Sequence, residues 1–283
     1  MNVLYIGATG LVGSHVVPFL TAKFHLTLTG YTTDEVNGME VLPLDLTQWD
    51  ATEALIQKGA ANGAPFDAVV YCATANYREN NQSDPDGRHR YFENCIEVNA
   101  RGAYHVFEAA WRARVPRVVH IGSMTSVLGA PSYEYIDAET RDRPNDLYAA
   151  TKVFGEHVGR SYVFRPRRRR RETNTEPVQT MQVLCLRLGQ PFSGENHWRR
   201  SPHKPSRLAA HMEDIAQAIE CALLTDIPYG IYPVVSEVEN PLVDPELYAE
   251  LGYKPLWRFD STGVERKEDH APSPNEPVRP AAS

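Results

Sequence analysis

The sequence predicts an α/β protein in which helices cover both faces of a parallel sheet. Short apolar or β-branched runs alternate with segments whose apolar residues recur at helical spacing, and this alternation is typical of β-α-β units. The predicted strands are residues 3–6, 26–29, 40–43, 68–71, 117–121, 182–186 and 229–235. The predicted helices are residues 96–114, 148–162, 213–224 and 245–251.

The size and composition of the chain are those of an ordinary globular protein. It has 283 residues, of which 42% are hydrophobic and 23% are charged. This length fits one large domain with a small appendage. No apolar stretch approaches the roughly 18 residues of a membrane span, and residues 1–20 lack the pattern of a signal peptide. We therefore expect a cytoplasmic protein with no membrane partner.

Four cysteines are spread widely along the chain, with no C-x-x-C pair among them. Zinc sites and disulfide frameworks generally use closely spaced cysteines, so the spacing predicts neither, and we expect no metal ion. We interpret all four as buried thiols. They are Cys72, Cys95, Cys185 and Cys221.

The charge distribution argues against a nucleic-acid partner. The formal net charge of −7 at pH 7 disfavours general binding to polyanions. A run of arginines at residues 165–171 opens an insertion at residues 165–177 between a predicted helix and the next strand. The run lacks interleaved aromatic residues, so we interpret it as a solvated surface segment.

Three glycines, Gly7, Gly10 and Gly13, stand between the first predicted strand and a helical pattern. Their spacing differs from the usual G-x-G-x-x-G dinucleotide fingerprint, and an ordinary turn is the simplest alternative. A glycine-rich turn at this position nevertheless lets an anion approach the unpaired N–H groups of a helix N-terminus. The position therefore predicts a pyrophosphate site in a Rossmann-type doubly wound fold.

Tyr148 and Lys152, one helical turn apart, form the second predicted site. At this spacing the phenol and the ammonium group project from the same face of a helix. An adjacent cation favours the phenolate, so we expect the pKa of Tyr148 to be lowered enough for acid–base catalysis. An isolated pair of this kind is more often a plain surface contact, so the interpretation depends on the glycine turn.

These features together resemble the extended short-chain dehydrogenase/reductase family, also called the nucleotide-sugar epimerase/dehydratase family. The resemblance covers about residues 1–260 and rests on the glycine turn, the Tyr148/Lys152 pair and several shorter segments. Those segments are Asp45-Leu46, residues 67–73, Asn99 with Gly102, and the strand end at residues 122–126.

The resemblance implies roles for these residues. In the family the glycine turn holds the pyrophosphate, an Asp-hydrophobic pair lies beside the adenine, and the lysine binds the nicotinamide ribose and lowers the tyrosine's pKa. Tyr148 is then expected to exchange a proton with the substrate as the nicotinamide exchanges a hydride. The expected cofactor-binding residues are Gly7, Thr9, Gly10, Leu11, Val12, Gly13, Asp45, Leu46, Ala73, Asn99, Tyr148, Lys152 and Leu188.

In the family, a serine or threonine at the preceding strand end usually orients the substrate oxygen, and here the sequence departs from the pattern. Counting back from Gly129 places that hydroxyl on Met124, whereas counting back from Tyr148 favours Ser123 or Thr125. We expect Ser123 to act in catalysis and substrate binding, with Thr125 as the alternative. A polar loop that only caps backbone groups is the simpler explanation of all three positions.

The second predicted strand does not decide between NAD and NADP. It ends at residues 28–31 without the acidic residue that binds the ribose hydroxyls of NAD, and without an arginine for the 2′-phosphate of NADP. The next charged residues, Asp34 and Glu35, favour NAD slightly because they repel the extra phosphate.

The region after the last predicted strand of the sheet is small. We divide the chain into a dinucleotide-binding domain at residues 1–187, a substrate-binding region at 188–260 and a disordered tail at 261–283. A small substrate follows, because nucleotide-sugar enzymes of the family generally carry a larger C-terminal lobe.

Short motifs at residues 186–190, 206–208, 211–215 and 251–255 resemble the uronate dehydrogenase branch of the family. That branch oxidises the cyclic form of a hexuronic acid to an aldarolactone, and an arginine grips the substrate carboxylate. The expected substrate-binding residues are Ser123, Thr125, Gln190, Arg199 and Arg207.

The leading hypothesis is an NAD(P)-dependent oxidoreductase acting on a small secondary alcohol, lactol or ketone of sugar-acid type. A ketoreductase of secondary metabolism would use the same residues on a bulky aromatic ketone, and a sugar epimerase or dehydratase would need a larger C-terminal region. A non-catalytic dinucleotide sensor would not need Tyr148 and Lys152. The expected partner is a small-molecule substrate, with further copies of the chain as an open alternative.

Overall fold

The computed structural model describes residues 1–31, 35–60, 63–75, 85–129, 135–165, 179–193 and 206–267. Its elements, in chain order, are β1 (Asn2–Ile6), α1 (Leu11–Thr21), β2 (His25–Gly30), β3 (Glu35–Val36), β4 (Met39–Pro43), α2 (Trp49–Lys58), β5 (Ala68–Tyr71), α3 (Pro85–Asn94), a π-helix (Cys95–Arg101), α4 (Gly102–Arg112), β6 (Arg117–Ser123), a 3₁₀ turn (Met124–Ser126), α5 (Leu147–Val163), β7 (Gln182–Leu188), β8 (Gln190–Phe192), β9 (Ala209–His211), α6 (Met212–Leu224), β10 (Tyr229–Val234), β11 (Glu237–Val238), α7 (Glu246–Ala249), β12 (Trp257–Phe259) and β13 (Val264–Arg266).

One mostly parallel sheet forms the centre of the fold, with the strand order β10-β7-β6-β5-β1-β2-β4-β3. Neighbouring strands are parallel except β3 and β4, which are antiparallel. In chain order, β2 and β4 are added on one side of β1, and the chain then crosses back to form β5 on the other side of β1. The winding therefore reverses between β1 and β5, where doubly wound folds open a ligand crevice at the carboxyl ends of their strands. The predicted α/β fold class is confirmed.

Apolar residues pack on both faces of this sheet. In β1, Val3 and Tyr5 belong to a core that includes residues of α1 and α6, whereas Leu4 and Ile6 belong to a core that includes residues of α2 and α4. Because both faces are covered, the central strands are buried throughout, as is usual for parallel sheets. Within the described ranges, no helix is both long and apolar enough to cross a membrane.

Helix α5 lies very close to the sheet. A Cβ placed on Gly155 would be 2.6 Å from Nε2 of His120 on β6, and one on Gly159 would be 2.8 Å from Cγ1 of Val183 on β7. Contacts this short are not tolerated between packed atoms, so only glycine allows the helix to approach the sheet at these two points.

The main sheet continues past the predicted domain boundary at residue 187. β10, which falls in the region assigned to substrate binding, pairs with β7 at the edge of the main sheet, and α6 packs against α1. Two further small sheets join β8 to β9, and β11 to β12 and β13. Periodicity in the sequence identified α6 and β10. It carried no information about which sheet β10 joins or which helix α6 packs against.

The described part of the chain continues past Ser261, where the sequence predicted the start of a disordered tail. β13 pairs antiparallel with β12. The guanidinium of Arg266 contacts Oε1 of Glu213 at 3.0 Å, and Nε1 of Trp257 donates to Oε2 of Glu213 at 2.8 Å. Backbone pairing and these polar contacts order a segment that has few apolar residues. Residues 268–283 lie outside the described residues.

Several local expectations also change. Helices α2 and α3 have no counterpart among the predicted elements, and the helix predicted at residues 96–114 is divided into the π-helix and α4. Cys72, Cys95 and Cys185 are buried as expected, but Cys221 on α6 is half-buried at the edge of the core.

Arg165 is the one member of the arginine run that falls within the described residues. Its guanidinium lies 5.5 Å from the ring centroid of Trp111 and 5.0 Å from that of Tyr162. The first arginine of the run therefore packs on aromatic side chains of α4 and α5.

Gly155→Ala should destabilise the protein although alanine is the better helix former. Overpacking a core costs about 1–3 kcal/mol, against about 1 kcal/mol gained in helix propensity. Urea unfolding should therefore show a lower free energy of unfolding than wild type. In a His120→Ala background the same change should cost less, because the obstructing ring is absent. An equal cost in both backgrounds would contradict this explanation.

Candidate active site

The glycine turn lies at the carboxyl ends of β1 and β5. Gly7 has φ +94°, and a Cβ there would lie 2.6 Å from the backbone nitrogen of Ala73, just after β5. A Cβ on Gly13 would lie 2.3 Å from the carbonyl oxygen of Gly7. The fold itself therefore requires Gly7 and Gly13. A Cβ on Gly10 would meet no atom closer than 3.4 Å, so the fold does not require a glycine there.

This turn fits the pyrophosphate of a dinucleotide. Gly10 begins α1 without any side-chain hydrogen bond to the helix N-terminus, and the first N–H groups of a helix have no partner within it. Leu11 is exposed, while Thr9 and Val12 are half-buried. A side chain at position 10 would fill the space beside these N–H groups, so glycine keeps the approach open for an anion.

The other predicted cofactor-binding residues follow β4, β5 and β7 at the same edge of the sheet. Oδ1 of Asp45 accepts hydrogen bonds from the backbone nitrogen and hydroxyl of Thr47, at 2.9 and 2.7 Å. Leu46 is buried, Ala73 is half-buried, and Leu188 is buried at the last position of β7. Parallel strands bring these positions, far apart in sequence, to one edge.

Asn99 lies in the π-helix and is almost completely buried. Its Oδ1 accepts from the backbone nitrogen of Ala75 at 2.9 Å and from the hydroxyl of Thr74 at 3.2 Å. Its Nδ2 donates to the hydroxyl of Thr151 on α5 at 3.1 Å. These hydrogen bonds join the loop after β5 to α5. Asn99 therefore fixes the position of that loop relative to the helix that carries Tyr148 and Lys152.

The side chain of Tyr148 lies in a cluster of hydroxyl groups. Its hydroxyl lies near those of Ser123, at the end of β6, and Thr74, and both neighbours act to lower its pKa. The hydroxyl of Thr125 donates to Oγ of Ser123 at 2.9 Å, one step further from the phenol. Met124 instead packs in an apolar cluster. Of the three positions considered from the sequence, Ser123 is therefore the one that contacts Tyr148.

Thr74 was missed by sequence reasoning. It is exposed and follows β5, so its hydroxyl lies at the carboxyl edge where the winding reverses. A signal was present in the sequence, since Thr74 is the first polar residue after the buried strand β5.

Lys152 is 3% exposed, and its Nζ donates to the backbone carbonyl of Ile121 at 3.2 Å. The ammonium lies 5.8 Å from the ring centroid of Tyr148. The first turn of α5 is held by Asp146, whose carboxylate accepts a hydrogen bond from the backbone nitrogen of Ala149 at 2.7 Å. Helix α5 thus begins directly before Tyr148.

Burial dominates the titration of both groups. It raises the pKa of Tyr148 to about 12, although the hydrogen bonds from Ser123 and Thr74 oppose the shift. Burial also lowers the pKa of Lys152 to about 8. The expected lowering of the tyrosine's pKa is therefore wrong for this structure, because desolvation of the phenolate outweighs the favourable contacts.

Of the two predicted substrate arginines, Arg207 falls within the described residues. Nε of Arg207 donates to the carbonyl of Asn240 at 2.9 Å, and its Nη2 donates to the carbonyl of Pro241 at 3.3 Å. Arg207 therefore holds a loop of the small C-terminal region. Gln190 is half-buried at the start of β8. Arg199 lies outside the described residues.

A family model describes the greater part of the chain, because the model of the NAD dependent epimerase/dehydratase family matches residues 3–227. The chain belongs to this family. It is an NAD(P)-dependent oxidoreductase acting on CH–OH groups.

Two relatives and one solved structure illustrate the similarity. The chain is 26% identical over 272 residues to L-arabinose 1-dehydrogenase (NAD(P)(+)) of Haloferax volcanii, covering 88% of this chain and 94% of the relative. It is 27% identical over 187 residues to uronate dehydrogenase of Pseudomonas syringae pv. tomato, covering 65% of this chain and 60% of the relative. A mutant uronate dehydrogenase from Agrobacterium tumefaciens, complexed with NAD, has the same fold, with a TM-score of 0.66, 19% identity, and coverage of 91% and 85%.

Gly10→Val should abolish dinucleotide binding in a folded protein. The backbone of Gly10, at φ −72° and ψ 171°, is available to valine, but the side chain would enter the space beside the helix N-terminus. Calorimetry should detect no binding of NAD or NADP. Thr21→Val, at the opposite end of α1, is the matched control and should bind as wild type. Unchanged affinity in folded Gly10→Val would place the pyrophosphate elsewhere.

Proposed function

We propose that the chain oxidises the CH–OH group of a small cyclic sugar or sugar acid, with Tyr148 as the proton-transfer group. The observation that carries the proposal is the hydroxyl cluster of Tyr148, Ser123 and Thr74 beside the buried ammonium of Lys152. The cluster lies at the carboxyl edge of the sheet, where β5 also brings Thr74 next to the glycine turn.

The proposed reaction uses each group of the cluster. As the substrate carbon loses a hydride, its hydroxyl transfers its proton to the phenolate form of Tyr148, which becomes the neutral phenol, and the C–O bond becomes a carbonyl. The nicotinamide, when bound, supplies the hydride acceptor. Ser123 holds the substrate oxygen against the phenol, and the charge of Lys152 stabilises the phenolate. Positioned acid–base groups of this kind contribute about 10²- to 10⁴-fold.

The similarities support a monosaccharide as the substrate. One relative is named for L-arabinose and the other for uronate, and the similarity to the arabinose enzyme runs along 94% of its length. Both names favour a small polyhydroxy compound over the bulky ketone of a ketoreductase or the nucleotide sugar of an epimerase.

Recognition of a substrate carboxylate is the finer part of the proposal. A guanidinium binds a carboxylate best with two parallel N–H groups, and two nitrogens of Arg207 already donate to backbone carbonyls. We therefore assign carboxylate binding to Arg199 and a loop-holding role to Arg207.

Tyr148→Phe should lower kcat by about 10²- to 10⁴-fold while NAD binding, measured by calorimetry, is retained. Ser123→Ala should cost less, and Thr125→Ala least, because Thr125 reaches the phenol only through Ser123. Tyr104→Phe, an exposed tyrosine on α4, is the control and should turn over as wild type. Wild-type turnover by Tyr148→Phe would overturn the proposed proton transfer.

Substrate choice can be tested by comparing hexuronates with neutral aldoses such as L-arabinose. If Arg199 binds a carboxylate, kcat/KM should favour the hexuronate, and Arg199→Met should remove most of that preference. Arg207→Met should instead affect both substrates alike. A wild-type enzyme that prefers the neutral sugar would disprove the carboxylate site while leaving the Tyr148 chemistry intact.

A further inference from the structure

A buried ion pair lies one helical turn beyond Lys152. Glu156 on α5 is 0% exposed. Its Oε1 accepts a hydrogen bond from Nε of Arg187 at 2.8 Å, and its Oε2 accepts one from Nη2 at 2.6 Å. Asp142 accepts a further hydrogen bond from Nη2 of Arg187. The paired N–H groups of one guanidinium thus hold both oxygens of the Glu156 carboxylate.

The ion pair packs directly on the backbone of β6. Gly122 lies opposite Arg187 in the ladder between β6 and β7. A Cβ on Gly122 would lie 3.0 Å from Oε1 of Glu156 and 3.5 Å from Cγ of Arg187. The glycine therefore leaves the space that the ion pair occupies.

Both neighbours of Gly122 on β6 contact the proposed catalytic pair. Ile121, before it, provides the carbonyl that accepts from Lys152. Ser123, after it, lies near the hydroxyl of Tyr148. The ion pair therefore touches the strand midway between the two contacts on which the geometry of the site depends.

We propose that Glu156, held by Arg187, is a positioning residue for the Tyr148–Lys152 pair; this rests on the proposed function. Tyr148, Lys152 and Glu156 are spaced four residues apart and lie along one face of α5. The ion pair of Glu156 and Arg187 fixes the position of this face along β6 and β7. Stability alone is a poor reason for such a pair, because apolar residues of similar volume usually stabilise a core as well.

The charge of Glu156 also acts on Lys152. The titratable groups that face the ammonium come from α5, β6, the segment after β5 and the π-helix, and they are Tyr148, Glu156, His120, Cys72 and Cys95. Burial raises the pKa of both thiols and lowers that of His120 to about 3, so these groups are neutral near pH 7. Burial raises the pKa of Glu156, and the contacts with Arg187 oppose that rise. The carboxylate held by Arg187 favours the charged form of Lys152.

Glu156→Gln tests the proposal because it keeps the shape of the side chain and removes its charge. The titration of Lys152 can be followed by NMR on protein labelled with [ε-¹³C]lysine, and its resonance assigned with Lys152→Arg. We expect the titration to move to lower pH than in wild type, since the ammonium loses a nearby anion. We also expect kcat to fall between about tenfold and a hundredfold, as for a small misplacement of reacting groups.

Glu53→Gln is the matched control. Glu53 forms an ion pair with Arg112 at 3.0 Å on the surface formed by α2 and α4, so this variant should leave both the Lys152 titration and kcat unchanged. A folded Glu156→Gln protein with wild-type titration and wild-type kcat would overturn the proposal, as would a titration shift of equal size in Glu53→Gln. The NMR titration needs no turnover, so this result is separable from a failure of Tyr148→Phe.

Arg187→Lys provides the test if Glu156→Gln does not fold. Lysine keeps the positive charge but cannot make two parallel hydrogen bonds to one carboxylate. We expect kcat to fall by at least about tenfold while near-UV circular dichroism shows a folded protein at the assay temperature. Wild-type kcat in this variant would show that the geometry of the ion pair does not position the site.

Discussion

The close packing of α5 on β6 and β7 is the constraint on which the rest of the site depends. Gly155 and Gly159 on the helix and Gly122 on the strand each stand where a Cβ would press on a neighbouring atom. At this separation the ammonium of Lys152 reaches a backbone carbonyl of β6. A larger residue at any of these glycines would push the helix away and break that contact.

The same packing sets the electrostatics of the site. Bringing a phenol and an ammonium out of water raises the pKa of Tyr148 and lowers that of Lys152. Both shifts disfavour the charged forms. The hydroxyls of Ser123 and Thr74 partly offset the shift of Tyr148, and the buried carboxylate of Glu156 partly offsets that of Lys152. The site is therefore a balance between desolvation and a small number of directed polar contacts.

The two halves of the site are joined by topology. The glycine turn follows β1, while Tyr148 and Lys152 lie on a helix that begins more than a hundred residues later. Because the winding reverses between β1 and β5, the loop after β5 lies between them. Ala73 packs against Gly7, and Thr74 lies near the hydroxyl of Tyr148. Asn99 then ties that loop to α5.

Periodicity and the position of the glycine turn were sufficient to predict the α/β fold and most strands, and the spacing of Tyr148 and Lys152 was sufficient to propose a candidate site, because each is a pattern of residues close together in the chain. The sequence by itself could not show that β10 joins the main sheet, that Thr74 meets Tyr148, or that Glu156 pairs with Arg187. Nor could it give the direction of the Tyr148 pKa shift. These properties depend on burial and on contacts between distant segments, which exist only after the chain has folded.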